Sequence, residues 1–356
     1  MPAESRRAQA GRTPPGRARS SRTLPWRPLR AVPAALAGLL ALLLGVVLTA
    51  CGTTEPPAAP APAPATAAGP VSIIDSRGKE LSLAAPATRV VALEWNVAEH
   101  AVSLGVMPVG VADVAGYGNW VKAEPLDVSV ADVGVRGEPS IDSIAALRPD
   151  LILATDELPD TAVTQMEAFA PVAFVNGGNA QDNIGAMRSN LEFVAEATGK
   201  EAEATDLLAA FDAKIADGRA KLAAAAGQSF VFTDAYVEGS QVSIRPYATG
   251  SLISDVTEQL GLVNAWTEPG DEVYGLAEAD VEGLTAVGDV DHFLYIANAA
   301  DGGDPYVDEL GDNAVWTSLP VVREGRVKRM PDGIWMFGGP TSMDQYVDAL
   351  VTTLGA

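Results

Sequence analysis

From residue 71 onward, short apolar runs alternate with amphipathic segments, the rhythm of an α/β protein with parallel strands. The runs Arg89–Leu93, Pro108–Ala112, Asp150–Ala154 and Pro171–Val175 read as strands. Between them, Asn96–Leu104, Ile141–Leu147 and Thr161–Phe169 carry apolar residues at helical spacing, with Ser140 and Asp160 as expected N-caps. Arg148-Pro149 closes one of these helices just before a strand.

The pattern changes at Gln181. No proline follows until after Ala226, and residues 201–226 (EAEATDLLAAFDAKIADGRAKLAAAA) are rich in strong helix formers. Leu207, Leu208, Phe211 and Ile215 fall on one stripe. About 26 residues make roughly 39 Å of helix, more than a crossover between neighbouring strands requires. Such a helix suits a strut between two lobes. Strand and helix segments then resume at Phe230–Val237, Ser251–Leu260, Asp291–Ile296, Arg326–Met330 and Ser342–Leu354. The expected fold is therefore two Rossmann-like α/β lobes, 71–198 and 228–356, joined by a single long helix at 199–227.

The chain before this pattern is not part of the fold. Residues 1–30 hold eight arginines and one acid, Glu4, and an apolar stretch from Ala31 to Val47 follows. Leu48-Thr49-Ala50-Cys51 comes next, and Cys51 is the only cysteine. A basic region, an apolar region and small residues at the cut describe a secretory signal over 1–50. The alternative, an uncleaved membrane anchor, sits near the lower length limit for spanning a bilayer. Leu-Thr-Ala-Cys resembles the bacterial lipobox, which implies that the Cys51 thiol carries a lipid. A tether at 51–70, almost entirely alanine and proline beyond Thr54 and Glu55, then holds the folded body off the membrane.

Charge narrows the partners. Without the first 50 residues, 16 Lys+Arg face 45 Asp+Glu, a net charge of −29. Nucleic acid and anionic lipid surfaces are excluded as partners on this ground. The two histidines, His100 and His292, have no cysteine or second histidine at ligand spacing, and no nucleophile elbow, phosphate loop or dinucleotide fingerprint is present. Catalysis is not expected. Tryptophans at element ends are more telling: Trp95, Trp120, Trp266, Trp316 and Trp335. Aromatic groups of this kind wall a concave site for a bulky ligand, although Trp95 and Trp316 also read as core or rim residues.

The stretch VVALEWNVAEHAVSLGVMPVGVADVAGYGNWV, followed by DVGVRGEPSIDSIAALRPDLILA, resembles the N-lobe of iron–siderophore binding proteins of bacterial ABC importers. GSLISDVTEQLGLVNAW and WTSLPVVREGRVKRMPDGIWMFGGPTS resemble the C-lobe of the same family, most closely its ferric-hydroxamate branch. The resemblance runs over about residues 70–354. It implies a ligand in the cleft between two lobes, no resident cofactor, and a chelate that brings its own iron, so that no side chain bonds the metal. It also implies a monomer on the outer face of the cell membrane, with a permease and ATPase as partners.

Position by position, the resemblance marks Arg136 as donor to the oxygens around iron, with Trp120 as an N-lobe aromatic wall. Trp266, Tyr274 and Trp335 match C-lobe aromatic positions; Tyr274 stands where tryptophan is usual and Phe337 replaces a tyrosine. Thr155-Asp156-Glu157-Leu158 lacks the N-lobe tyrosine often found there. Arg245 and Tyr247 resemble an Arg-x-Tyr of Gram-positive relatives. Asp142 and Glu282 match the carboxylates that meet arginines of the permease. Haem or cobalamin on the same fold, or a lipid-anchored surface module or enzyme, are the alternatives.

Overall fold

The computed structural model describes residues 69–155, 158–239 and 241–355; the expected signal sequence, Cys51 and nearly all of the expected tether lie outside the described residues. The chain enters through an antiparallel hairpin, β1 (Val71–Ile74) and β2 (Glu80–Leu83). The N-lobe sheet follows: β3 (Val90–Ala92), β4 (Gly110–Val111), β5 (Ala131–Asp132), β8 (Leu151–Ala154) and β9 (Val172–Phe174). A small hairpin of β6 (Gly134–Val135) and β7 (Glu138–Pro139) interrupts it. The five sheet strands run parallel in the order β5-β4-β3-β8-β9. β3, β4, β8 and β9 are buried throughout, which explains why they read as continuous apolar runs rather than alternating ones.

Helices α1 (Trp95–Ser103), α2 (Val114–Trp120), α3 (Ile141–Leu147) and α4 (Asp160–Glu167) connect these strands. Ser140 caps α3 through its side chain as expected. Asp160 does not cap α4: Pro159 occupies the cap position, and Asp160 is the first helical residue, where its charge faces the positive end of the helix.

Two helices follow, α5 (Asn183–Thr198) and α6 (Glu201–Lys221), separated at Gly199 in the left-handed region (φ 69°). The expected long helix is thus α6, and the four residues after it, Leu222–Ala225, tighten into a 3₁₀ turn. Its apolar stripe divides. Leu207 and Leu208 pack on the N-lobe core, whereas Phe211 and Ile215 pack on the C-lobe core.

The C-lobe sheet is mixed: β10 (Ser229–Glu238), β11 (Gln241–Pro246), β12 (Val263–Asn264), β13 (His292–Ile296) and β14 (Val327–Arg329). β10, β13 and β14 run parallel, β11 is antiparallel to the outer half of β10, and β12 pairs with its first residues. α7 (Leu252–Gln259), the short α8 (Pro305–Asp308), α9 (Ala314–Ser318) and α10 (Pro320–Arg323), and the terminal α11 (Pro340–Leu354) complete the lobe. Trp316 lies in the core behind this sheet.

Candidate ligand-binding site

In each lobe the parallel strands end at the seam between the sheets, the place where open α/β sheets collect ligands. β3 runs into Glu94, Trp95 and Asn96, β4 runs into Asp113, and β14 leads to Trp335, Met336 and Phe337. These residues, with Trp120, Arg136, Arg245, Tyr274, Leu276 and Asp301, line a cavity of about 610 Å³. A side chamber of about 270 Å³ shares Trp120, Arg245 and Asp301 with it and is edged by Asp234 and Tyr236.

Arg136 sits at the tip of the β6–β7 hairpin. The hairpin is fixed by Gly134 (φ 100°), where a Cβ would come within 2.9 Å of the Ser140 backbone nitrogen. Its Nη1 donates to Glu94 Oε1 at 2.8 Å. Its guanidinium lies 3.9 Å over the Trp95 ring and 5.5 Å from that of Trp335, close enough for cation–π attraction. Arg245 enters from the opposite lobe. It stands directly across from Asp234 in the β10–β11 register, and Nε donates to Asp234 Oδ1 at 2.9 Å while Nη2 bonds the second oxygen. Burial works against the Arg245 charge, but this forked pairing outweighs it and raises the pKa further.

The aromatic wall is continuous. Trp335 meets Trp95 at 4.8 Å, Trp120 at 6.1 Å and Phe337 at 5.1 Å between ring centroids, and Phe337 meets Tyr274 at 5.2 Å. Trp335 joins the N-lobe core although it follows a C-lobe strand, so the 330–339 loop stitches the lobes together. Trp120 Nε1 donates across the seam to Asp301 Oδ2 at 2.9 Å. Burial and the nearby Asp113 charge raise the Asp301 pKa, against the pull of the Trp120 N–H.

Six of the expected residues therefore surround one cavity: Trp120, Arg136, Arg245, Tyr274, Trp335 and Phe337. Two do not. Tyr247 is 1 % exposed and stacks behind Phe337 at 6.0 Å, inside the C-lobe core. The strand ends at Pro246; the Tyr247 backbone N–H donates to Phe232 O at 2.9 Å, and its ring packs edge-on against that of Phe232 at 5.0 Å. Trp266 packs beneath the sheet with Phe293 and Trp316 in the lobe's other core cluster. Glu94, Asn96, Asp113, Asp301 and Asp234 were not expected at the site, and Trp95, read as a core or rim residue, lies on its wall. Neither His100 nor His292 lines the cavity. Among the described residues no group of three or more His, Cys, Asp or Glu is placed to hold a metal ion. Asp142, in the first turn of α3, and Glu282, just before the 3₁₀ turn Gly283–Val287, are both exposed and do not line the cavity.

The family model for periplasmic binding protein matches residues 90–333. The chain belongs to this family. Among its relatives, the iron(3+)-hydroxamate-binding protein FhuD of Escherichia coli is 26 % identical over 268 residues, covering 75 % of this chain and 87 % of the relative. The Fe(3+)-citrate-binding protein YfmC of Bacillus subtilis is 28 % identical over 265 residues, 74 % and 79 % of the two chains. Among solved structures, the siderophore-binding protein FhuD of Vibrio cholerae bound to Fe3+–Desferal superposes with a TM-score of 0.67 at 30 % identity, covering 75 % of this chain and 97 % of that one. The two-lobe α/β fold, with its largely parallel sheets, is that of this Vibrio cholerae protein.

Proposed function

We propose that this protein captures an Fe(III)–siderophore complex, of the hydroxamate type, outside the cell and delivers it to an ABC importer. The observation that carries the reading is the pair Arg136 and Arg245, which reach one cavity of about 610 Å³ from opposite lobes past a wall of indoles. The volume suits a bulky chelate. A guanidinium fork matches the paired oxygens of a hydroxamate, and indole faces cover the apolar linkers between chelating groups. The iron is cargo, wrapped by its chelator, and bonds no protein side chain. The likeness to a ferric-hydroxamate-binding and a Desferal-bound relative supports this choice.

Anchoring through a lipid on Cys51, on the outer face of the membrane, completes the reading, with the body acting as a monomer. Asp142 and Glu282 are the carboxylates offered to the permease. Titration with ferrichrome and ferrioxamine B, followed by quenching of tryptophan emission, tests the cargo; saturable quenching by ferric citrate but by neither hydroxamate would refute the choice. Replacing Cys51 by serine should move the protein from the membrane fraction to the medium, and an unchanged distribution would remove the lipid.

A further inference from the structure

Both cavity arginines are already spoken for. Arg136 is held by Glu94 at 2.8 Å, and Arg245 is held by both oxygens of Asp234. Each pair is local to its lobe, and each carboxylate is more deeply buried than its arginine: 13 % against 36 % for Glu94 and Arg136, and 8 % against 36 % for Asp234 and Arg245. The acid is therefore the deeper partner of each pair, and the guanidinium is the more exposed one, on the cavity wall. Asp113 and Asp301 add two further carboxylates to the wall. Two guanidiniums thus face four carboxylates, and the cavity carries no surplus positive charge.

The geometry points to Glu94 and Asp234 as specificity residues that close the site to anionic ferric chelates while leaving the arginines able to donate hydrogen bonds. This deepens the hydroxamate reading above and rests on it. Three hydroxamates, each having lost one proton, balance Fe(III) to a neutral complex, and a pendant ammonium makes it cationic. Three catecholates, or the carboxylates and alkoxide of citrate, leave the complex anionic. An arginine free of an acid partner would attract such an anion. An arginine backed by a buried carboxylate donates to a neutral oxygen without presenting net charge, and the unbacked Asp113 and Asp301 repel the anion further. Relatives named for citrate and for hydroxamate lie at similar distance from this chain, so overall likeness does not choose between the two cargoes.

The test compares ferrioxamine B, ferrichrome and ferric citrate on the full-length protein and on Glu94→Gln, Asp234→Asn and the double variant. Both replacements keep an acceptor for the arginine and remove the charge. The wild-type protein should bind ferric citrate at least about 100-fold more weakly than ferrioxamine B, a gap of the size like-charge contacts produce. In the double variant the ratio of the two Kd values should fall at least about tenfold. Wild-type affinity for cationic ferrioxamine B should also weaken with salt more steeply than that for neutral ferrichrome, a readout that needs no variant to fold. Equal wild-type affinity for ferric citrate and ferrioxamine B, an unchanged ratio in a folded double variant, or parallel salt dependences would each overturn the inference while leaving siderophore capture intact. Failure to bind any ferric chelate would instead defeat the proposed function.

Discussion

Replacing Arg136 by alanine isolates what one guanidinium contributes to holding the chelate. One of its N–H groups is engaged by Glu94 at 2.8 Å, and the group rests 3.9 Å over Trp95, so it is held in place on the cavity wall. The stacking on Trp95 exists before the ligand arrives and largely cancels in a binding constant. What the variant loses on binding is a charge-assisted hydrogen bond, about 1.5–3 kcal/mol. The Glu94 carboxylate, no longer neutralised, then faces the ligand oxygens and adds to the loss. A weakening of about 2 kcal/mol, roughly thirtyfold in Kd, is expected. Trp95, Trp120 and Trp335 line the cavity, so quenching of intrinsic emission by ferrichrome reports occupancy directly. Arg136→Lys keeps the charge without the fork and should fall between wild type and alanine. A Kd for Arg136→Ala within twofold of wild type, with the thermal transition preserved, would remove Arg136 from the site.

Tyr247→Phe should leave the ferrichrome Kd within about twofold, because the hydroxyl lies in the core and makes only a long 3.5 Å contact to Asp234; a tenfold loss would return Tyr247 to the wall. Trp266→Ala should lower unfolding free energy by about 3–5 kcal/mol in urea titrations, the cost of emptying a packed indole site, whereas a loss below about 1 kcal/mol would contradict its burial. His100 is fully buried, and burial pushes its pKa down to about 4 from 6.5. Below pH 6.5 the unfolded chain takes up a proton that the folded one refuses, so His100 costs stability as pH falls, about 3 kcal/mol between pH 7 and 4. His100→Gln should lose that slope, measured as the difference between the two proteins' urea midpoints at each pH, and parallel curves would refute it.

Four of the five N-lobe sheet strands, β3, β4, β8 and β9, were legible because parallel, doubly covered strands must be apolar on both faces, and that leaves an unbroken signal; β5, two residues that are not buried, left none. α2 was not, since VAGYGNW holds two glycines and starts only because Asp113, itself left-handed (φ 53°), caps Gly116. The cavity arginines and most of its aromatic residues were legible from their setting in recognisable stretches. Their carboxylate partners were not. Glu94 and Arg136 are 42 residues apart, and only the hairpin tip brings them together. Asp234 meets Arg245 through strand register across a turn that gives no sign of its pairing. Tyr247 was placed at the site by its Arg-x-Tyr resemblance alone, and its ring instead packs against Phe232 in the C-lobe core.

The seam itself limits how the two lobes can move. Glu99 of α1 is fully buried and accepts from Ser342 N at 2.9 Å, Ser342 Oγ at 2.8 Å and Thr341 Oγ1 at 2.8 Å at the start of α11. Gly339, the residue before that helix, has no side chain to cap it, so an N-lobe carboxylate does so for a C-lobe helix. The exchange also explains why Gly339 must be glycine, since a Cβ there would lie 2.8 Å from His100 Nδ1. Burial raises the Glu99 pKa, and those hydrogen bonds only partly restrain it. Opening the lobes would strip the cap from α11 and leave buried donors without partners, at about 1–3 kcal/mol for each. Trp120 to Asp301 at 2.9 Å and Asn298 Nδ2 to Asn119 O at 3.0 Å cross the same seam, and α6 buries one end of its stripe in each lobe. A joint fixed at so many points holds its cavity in place before any ligand arrives, so affinity here is set by the groups on the wall rather than by the work of closing the lobes.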